Sequence, residues 1–226
     1  MTLLRETTQL DLTLTREDFT SPTVESYWLS QNILYLRVFQ FGSSTEAEFD
    51  TDLRSGLPVA RSVVLDLRNN GGGLVSAAVA MVSRFVTDGV VFEERSRGGQ
   101  VEKVSVDGNH PAAALPLVVL VNGSSASSAE IVAGSLQAHD RAELVGTETF
   151  GKGSIQVDYV LRDGSALRLT VQQWYLPNGQ SISGTGLSPD APAELPQSGA
   201  MFDVVQPARG YAHDTQLELA LHMLGG

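Results

Sequence analysis

The sequence predicts an α/β fold built from βα units with additional β-hairpins. The first βα unit consists of an apolar strand at residues 61–67, three glycines and a helix at residues 74–86. The second consists of a strand at residues 115–121 and a helix after Ser127. In sheets built from such units, ligand sites lie beyond the carboxyl ends of the strands. Gly73 and Ser127 are therefore expected at the same rim of the sheet.

The remaining elements follow from the spacing of apolar residues, which alternate in strands and recur every three to four residues in helices. A helix at residues 45–55 places Phe49 and Leu53 on one face. Central glycines predict two hairpins. The other predicted elements are strands at residues 8–15 and 32–41, hairpins at residues 90–106 and 154–176, a loop at residues 196–210 and a helix at residues 214–224.

Composition limits the classes of function. The 226 residues, 42% of them hydrophobic, suit one large domain or one domain with a further fragment. A net charge of −11 argues against nucleic acid or an anionic membrane as a partner, because both attract basic surfaces. The absence of cysteine excludes thiol catalysis and disulfides, and no metal-binding motif is present. The longest apolar run, residues 111–121, is too short to span a bilayer.

The most informative segment is residues 122–156, in which a serine cluster precedes a helix and a lysine lies between two glycines. A serine hydroxyl is a weak nucleophile unless a base removes its proton, and a lysine amine can be that base if its surroundings keep it neutral. Ser127 and Lys152 are therefore a candidate nucleophile and base. Burial among Phe150, Ile155 and apolar neighbours is expected to disfavour the charged form of the amine.

Ser127 also has a structural interpretation. With Glu130 it fits the capping-box pattern, in which a hydroxyl and a carboxylate accept hydrogen bonds from free N–H groups of the first helical turn. Ser124 or Ser125 could cap the helix instead and leave Ser127 free, so the pattern leaves both interpretations open. His139 offers the alternative of a Ser-His-Asp triad, but its position past a helix end favours a solvated residue.

An alternative interpretation of residues 146–154 is a phosphate-binding P-loop. That motif needs Ser or Thr directly after the lysine and a helix after the loop. Gly153 follows Lys152 instead, and the next segment alternates as a strand, which argues against nucleotide binding. A strand that begins near Lys152 places Lys152, Ser154 and Gln156 on one face, because side chains repeat every second residue. Gln156 could then orient the amine.

Several segments resemble the carboxy-terminal processing peptidases, also called tail-specific proteases. They are V-V-L-D-L-R-N-N-G-G-G-L at residues 63–74, the serine cluster and its helix at residues 122–137, and R-A-E-L-V-G-T-E-T-F-G-K-G-S-I-Q at residues 141–156. Residues 177–190 match the ending of the family pattern. Their order and spacing make the resemblance far more specific than any single motif, and it covers nearly all of the chain after about residue 24.

The resemblance implies a crotonase-like fold and a serine endopeptidase that needs no cofactor. Matching position by position makes Ser127 the nucleophile, Lys152 the base and Gln156 the residue that orients the base. The oxyanion hole would consist of the backbone amides of Gly73 and Ser128. The implied substrates are proteins cut near apolar C-terminal tails.

In this family a PDZ domain precedes the catalytic core and ends in a strand like residues 8–15. Residues 1–23 are therefore expected to be a remnant of that domain or an ordinary edge strand, and residues 24–226 the catalytic core. Relatives are usually exported, so Met1 is expected to begin an excised part of an exported, periplasmic or cell-envelope protein. The chain departs from the family pattern at Gly71, at residues 128–129, where Ser and Ala exchange places, and at Ala138, where an acidic residue is common.

Two other function classes are compatible with the sequence. One is a catalytically silent binding or scaffold module on the same fold, against which the intact Ser127, Lys152 and Gln156 argue. The other is a crotonase-type acyl-CoA enzyme, which shares a two-amide oxyanion hole. That enzyme needs a carboxylate base and a basic patch for the CoA phosphates, and it leaves the spacing of residues 127–156 unexplained.

Overall fold

The computed structural model describes residues 2–5, 8–13, 15, 21–196, 201 and 214–225. Its strands are β1 (Thr2–Arg5), β2 (Thr8–Asp11), β3 (Val24–Leu29), β4 (Ile33–Val38), β5 (Ser62–Asp66), β6 (Val90–Ser96), β7 (Val101–Ser105), β8 (Leu117–Val121), β9 (Glu143–Gly146), β10 (Ser154–Val160), β11 (Ala166–Tyr175) and β12 (Ala191–Pro192). Its helices are α1 (Thr45–Gly56), α2 (Val75–Ser83), α3 (Ser128–Ala138) and α4 (Thr215–Met223).

The centre of the fold is a six-stranded sheet in the order β12-β9-β8-β5-β4-β3, which is parallel except for β3 at one edge. Strand residues alternate between its two faces. Leu36 and Val63 pack with α1, α2 and α3 in the larger core, whereas Tyr35 and Val64 pack against α4 on the other face. Because helices cover both faces, the central strands are almost continuously apolar.

A second, antiparallel sheet has the order β10-β11-β6-β7, which leaves β10 at an edge. β10 begins at Ser154, two residues after Lys152, so this sheet forms a wall beside the candidate base. A register shift between Ile155 and Gln156 marks a β-bulge. Bulges bend a strand and change the direction of neighbouring side chains.

Both βα units, both hairpins and the last helix are confirmed. The strand predicted at residues 8–15 ends at Asp11 and pairs with β1, which the sequence does not predict. β3 and β9 are also missed, because β3 is half exposed and β9 has only four residues. The loop predicted at residues 196–210 lies almost entirely outside the described residues. Among the helices that the structure describes, none has both the length and the apolar character needed to cross a bilayer.

A buried charge cluster joins the first βα unit to α4. Arg68, 1% exposed, donates to both carboxylate oxygens of Asp66, to both of Asp214 and to the side-chain oxygen of Gln216. Asp214 also caps α4 by accepting from the Leu217 N–H at 3.1 Å. Burial opposes the ionisation of Asp66, but the adjacent guanidinium outweighs this effect and lowers the pKa of the carboxyl group.

Replacing Arg68 with methionine should destabilise the protein by about 3 to 5 kcal/mol, because two buried carboxylates would lose their counter-charge. Since the pKa of Asp66 is lowered on folding, its contribution to stability is present above about pH 4 and is lost as the pH falls. Urea unfolding at pH 7 and at about pH 3 measures both effects. The control is Arg54→Met, which removes an ion pair whose arginine is 64% exposed. Equal losses in the two variants would contradict the prediction.

Candidate active site

The glycine turn after β5 and Ser127 lie at the same rim of the central sheet, as the sequence predicts. β5 and β8 are adjacent and parallel, so the segments that follow them leave the sheet side by side. The Ser128 hydroxyl donates to the Gly73 carbonyl at 2.9 Å. A Cβ atom at Gly72, where φ is 96°, would lie only 2.8 Å from the Ser127 Cβ. This close approach requires glycine.

Ser127 is the N-cap of α3 and has an unusual backbone, with φ 57° and ψ −118°. Such conformations cost a non-glycine residue about 1 to 3 kcal/mol and cluster at functional sites. A capping box with Glu130 is present, and its well-formed half is the 2.9 Å bond from the Ser127 N–H. The contact of the hydroxyl with the first turn falls outside standard hydrogen-bond geometry. Ser127 thus takes part in capping mainly through its backbone N–H, and its hydroxyl remains available.

Glu130 joins the serine to the lysine loop. Its carboxylate is fully buried and accepts four hydrogen bonds. The donors are the N–H groups of Ser127 (2.9 Å), Gly151 (2.7 Å) and Lys152 (2.9 Å), and the Thr149 hydroxyl (2.6 Å). Bonds to an ionised acceptor are stronger than neutral ones. The sequence identifies Glu130 only as a cap, because the local S-x-x-E spacing contains no information about donors about twenty residues away.

Replacing Glu130 with glutamine should destabilise the protein by about 3 to 5 kcal/mol. The NH2 group of glutamine would replace one carboxylate oxygen, so two of the four donors would face another donor and lose their acceptor. Thermal unfolding measures the loss. Glu148→Gln, an exposed change in the same loop, is the matched control. A Glu130→Gln variant that matches this control would contradict the joining role.

Ser127, Lys152 and Gln156 line one cavity of about 330 Å³. The structure therefore brings together the three side chains that the sequence predicts to act together. Ile155 lines the same cavity as Ser154 and Gln156, so the lining includes alternate positions of β10. That Lys152, Ser154 and Gln156 share one face of the strand therefore stays a prediction. The remaining wall combines apolar and charged side chains, among them Val75, Phe92, Ile131, Glu94, Asp158 and Arg168.

The expected burial around Lys152 is wrong. Lys152 and Gln156 are exposed, and Phe150 is 64% exposed. The loop is fixed through its backbone, since the Phe150 N–H donates to the Ser125 carbonyl at 3.0 Å and the ring stays outside the core. Within the described part of the chain, the Lys152 amine makes no hydrogen bond to Ser127 or to Gln156. The cavity is thus open to water on the side of the lysine.

The two backbone amides predicted for an oxyanion hole, those of Gly73 and Ser128, differ from the Gly72 amide in their hydrogen bonding. The Gly72 N–H donates to the Asn70 side chain at 2.8 Å and is therefore occupied. The N–H groups of Gly73 and Ser128 have no hydrogen-bond acceptor among the residues that the structure describes. Both lie at the rim that holds Ser127. Within the described part of the chain, Gly73 and Ser128 thus each have a backbone N–H that is free to donate to a tetrahedral oxyanion.

Two other sequence candidates lie away from the cavity. His139 follows the last residue of α3, roughly 18 Å along the helix from Ser127 at 1.5 Å per residue. It is half-buried rather than solvated, and its Nε2 lies 2.8 Å from the Val90 carbonyl oxygen. It therefore forms no triad with Ser127. Ala138 ends the same helix, so an acidic residue there would not reach the cavity. No group of three metal-ligating side chains converges within the described ranges.

Comparison with known proteins gives one consistent family. The profile of peptidase family S41 matches residues 32–193. A carboxy-terminal-processing protease of Bartonella bacilliformis is 37% identical over 203 residues, which cover 86% of this chain and 46% of that protein. A probable CtpA-like serine protease of Staphylococcus haemolyticus is 32% identical over 200 residues, which cover 87% of this chain and 40% of that protein.

Solved structures give the same result. A photosystem II D1 C-terminal processing protease superposes with a TM-score of 0.75 and 32% sequence identity, over 92% of this chain and 57% of that one. The chain thus spans about half the length, or less, of the two curated relatives and somewhat more than half of this structure.

Proposed function

Because the chain belongs to peptidase family S41, we propose that it is the catalytic region of a serine endopeptidase that uses a Ser127 and Lys152 dyad. The observation that carries the proposal is the convergence of both side chains in one cavity, beside two free backbone amides. The strained backbone of Ser127 supports it further, since such strain is typical of functional residues.

In the proposed reaction the Ser127 oxygen attacks the scissile carbonyl carbon while the neutral Lys152 amine takes the hydroxyl proton. The carbonyl oxygen becomes an oxyanion, which accepts hydrogen bonds from the Gly73 and Ser128 amides, worth about 3 to 4 kcal/mol each. Lys152 then gives its proton to the leaving amine, and an acyl-enzyme remains on Ser127. Water then attacks the ester carbonyl carbon, and Lys152 accepts a proton from this water. The bond between the acyl carbon and the Ser127 oxygen breaks, Lys152 returns the proton to that oxygen, and the carboxylic acid product leaves. Gln156 orients the lysine.

The proposed substrates are protein segments with apolar residues near the C-terminus. Val75, Phe92 and Ile131 give the cavity an apolar wall, and Leu74 and Phe150 are exposed large side chains near it. A peptide seated in the cavity would cover the open side at Lys152 and exclude water from the amine, which strengthens electrostatic interactions inside the site. No cofactor takes part in this scheme.

Labelling with a fluorophosphonate tests the proposal directly, because this reagent phosphonylates an activated serine. We expect modification at Ser127 and none at the exposed Ser124, together with hydrolysis of unfolded casein. Mass spectrometry identifies the modified residue. A protein that neither reacts with the reagent nor cleaves casein would be a silent scaffold on this fold.

The domain assignment is also part of the proposal. We assign the central parallel sheet with its flanking helices to the crotonase-like class, residues 24–226 to the catalytic core and residues 1–23 to an N-terminal strand segment that resembles the last strand of a PDZ domain. Export to the periplasm or cell envelope follows from the resemblance to processing proteases. The described part of residues 1–23 contains a two-stranded hairpin, β1 with β2.

If residues 1–23 are only the end of a tail-binding domain, this chain should discriminate little among peptides that differ only in their final residues. The described part of these residues contains one pair of four-residue antiparallel strands, and an isolated pair of strands is at best marginally stable in water. Values of kcat/KM for matched peptides with free and amidated C-termini measure the preference. A strong preference that disappears on amidation would mean that the core itself recognises tails.

A further inference from the structure

Trp174 on β11 is bound to the backbone of the lysine loop. It is 2% exposed and forms part of the cavity wall. Its indole Nε1–H donates to the Lys152 carbonyl at 3.0 Å, and its backbone N–H donates to the Gly153 carbonyl at 3.1 Å. Two consecutive carbonyl groups of the loop are thus held by one residue of a strand.

The loop needs such anchors because Lys152 lies between Gly151 and Gly153. Glycine has more backbone freedom than any other residue, and Gly151 has a φ of 86°. The Lys152 N–H is held by Glu130 at 2.9 Å, and its carbonyl by the indole. Both peptide groups that flank the Cα of Lys152 are therefore fixed, which limits the directions in which its side chain can leave the backbone.

The indole is a rigid anchor. Trp174 pairs with Glu94 of β6, so it belongs to a strand with neighbours on both sides. Apolar contact alone would hold the loop near the strand without fixing the direction of its peptide groups. A hydrogen bond to the Lys152 carbonyl fixes that direction as well.

We propose that Trp174 is a positioning residue for the general base, and that its indole N–H holds the Lys152 carbonyl so that the lysine side chain leaves the backbone toward the cavity it shares with Ser127. This inference rests on the proposed function of the dyad. In this scheme Trp174 acts through the orientation of Lys152 and does not contact the reacting atoms. Loss of the N–H should therefore lower kcat and leave substrate binding unchanged.

The test exploits the fact that the sequence has only two tryptophans, Trp28 and Trp174. In a Trp28→Phe background, a tryptophan auxotroph supplied with 3-benzothienylalanine replaces position 174 alone. This analogue keeps the shape of the side chain and lacks the N–H. We expect kcat to fall about tenfold, in line with the loss of one hydrogen bond, with KM within about twofold. The rate of fluorophosphonate labelling should fall in parallel.

The matched control is 5-fluorotryptophan incorporated in the same background, which keeps the N–H and should keep kcat. An unchanged kcat in the benzothienyl protein would overturn the role of Trp174, as would a raised KM at constant kcat, which would make Trp174 a substrate contact. The parent Trp28→Phe protein separates this result from failure of the dyad itself. If the Trp28→Phe parent still hydrolyses peptides after Ser127→Ala is added, the proposed function is overturned, and this inference with it.

Discussion

Peptide hydrolysis by the Ser127→Ala variant is expected to fall at least about 1,000-fold, to the level left by binding and oxyanion stabilisation alone. The reason is that no other hydroxyl of the serine cluster is available at the cavity. Ser125 is buried and donates to the Leu67 carbonyl at 2.8 Å, and Ser124 is exposed at the surface of the turn. Initial rates on a fluorogenic peptide measure the loss.

Ser124→Ala is the matched control, because it removes a hydroxyl three residues away without a buried bond. It should keep wild-type rates. Ser125→Ala should also keep activity but lose some stability, because the Asn122 N–H loses the Ser125 hydroxyl as its acceptor. Substantial turnover by Ser127→Ala would reject the nucleophile assignment and leave Ser127 as a helix cap.

The same position allows a separate stability measurement. Alanine keeps the Cβ atom and therefore the strain at φ 57°, whereas glycine adopts this conformation freely. Ser127→Gly should therefore be more stable than Ser127→Ala by roughly 1 kcal/mol, partly offset by the greater freedom of glycine in the unfolded chain. Urea unfolding of the two inactive variants measures the difference.

The order of strands and helices could be predicted because apolar periodicity is a local property of the chain. β5, β8 and α3 follow directly from it. β3 escapes prediction because its side chains from Glu25 to Trp28 are at most half-buried, so no continuous apolar segment marks it. The pairing of β1 with β2 depends on a contact between two short segments, neither of which has a distinctive pattern alone.

The site was predictable to the extent that motifs encode it. Ser127, Lys152 and Gln156 lie in recognisable segments and meet in one cavity. The bonds that hold them in place come from Glu130 and Trp174, whose partners are about twenty residues distant. The exposure of Lys152 was also unpredictable, because it depends on where the second sheet ends relative to the lysine loop and not on the residues beside the lysine.

The rate of hydrolysis by the Lys152→Arg variant is expected to fall by about 100- to 10,000-fold, which is the contribution of a general base. Arginine keeps the charge and most of the length of lysine but cannot give up its proton, so it cannot act as a base. The sequence contains two lysines, and the other is Lys103, which is 62% exposed and lies 3.4 Å from Glu93. Lys103→Arg is therefore the matched control and should keep full activity.

The Lys103→Arg background also allows a chemical test, because Lys152 is then the only lysine side chain. Acetylation of this protein removes the basic amine of Lys152 and should abolish hydrolysis, while a bound competitive peptide should protect it by covering the open side of the cavity. Turnover by Lys152→Arg close to that of Lys103→Arg would remove Lys152 from the chemistry and reduce it to a charged residue in a glycine-rich loop.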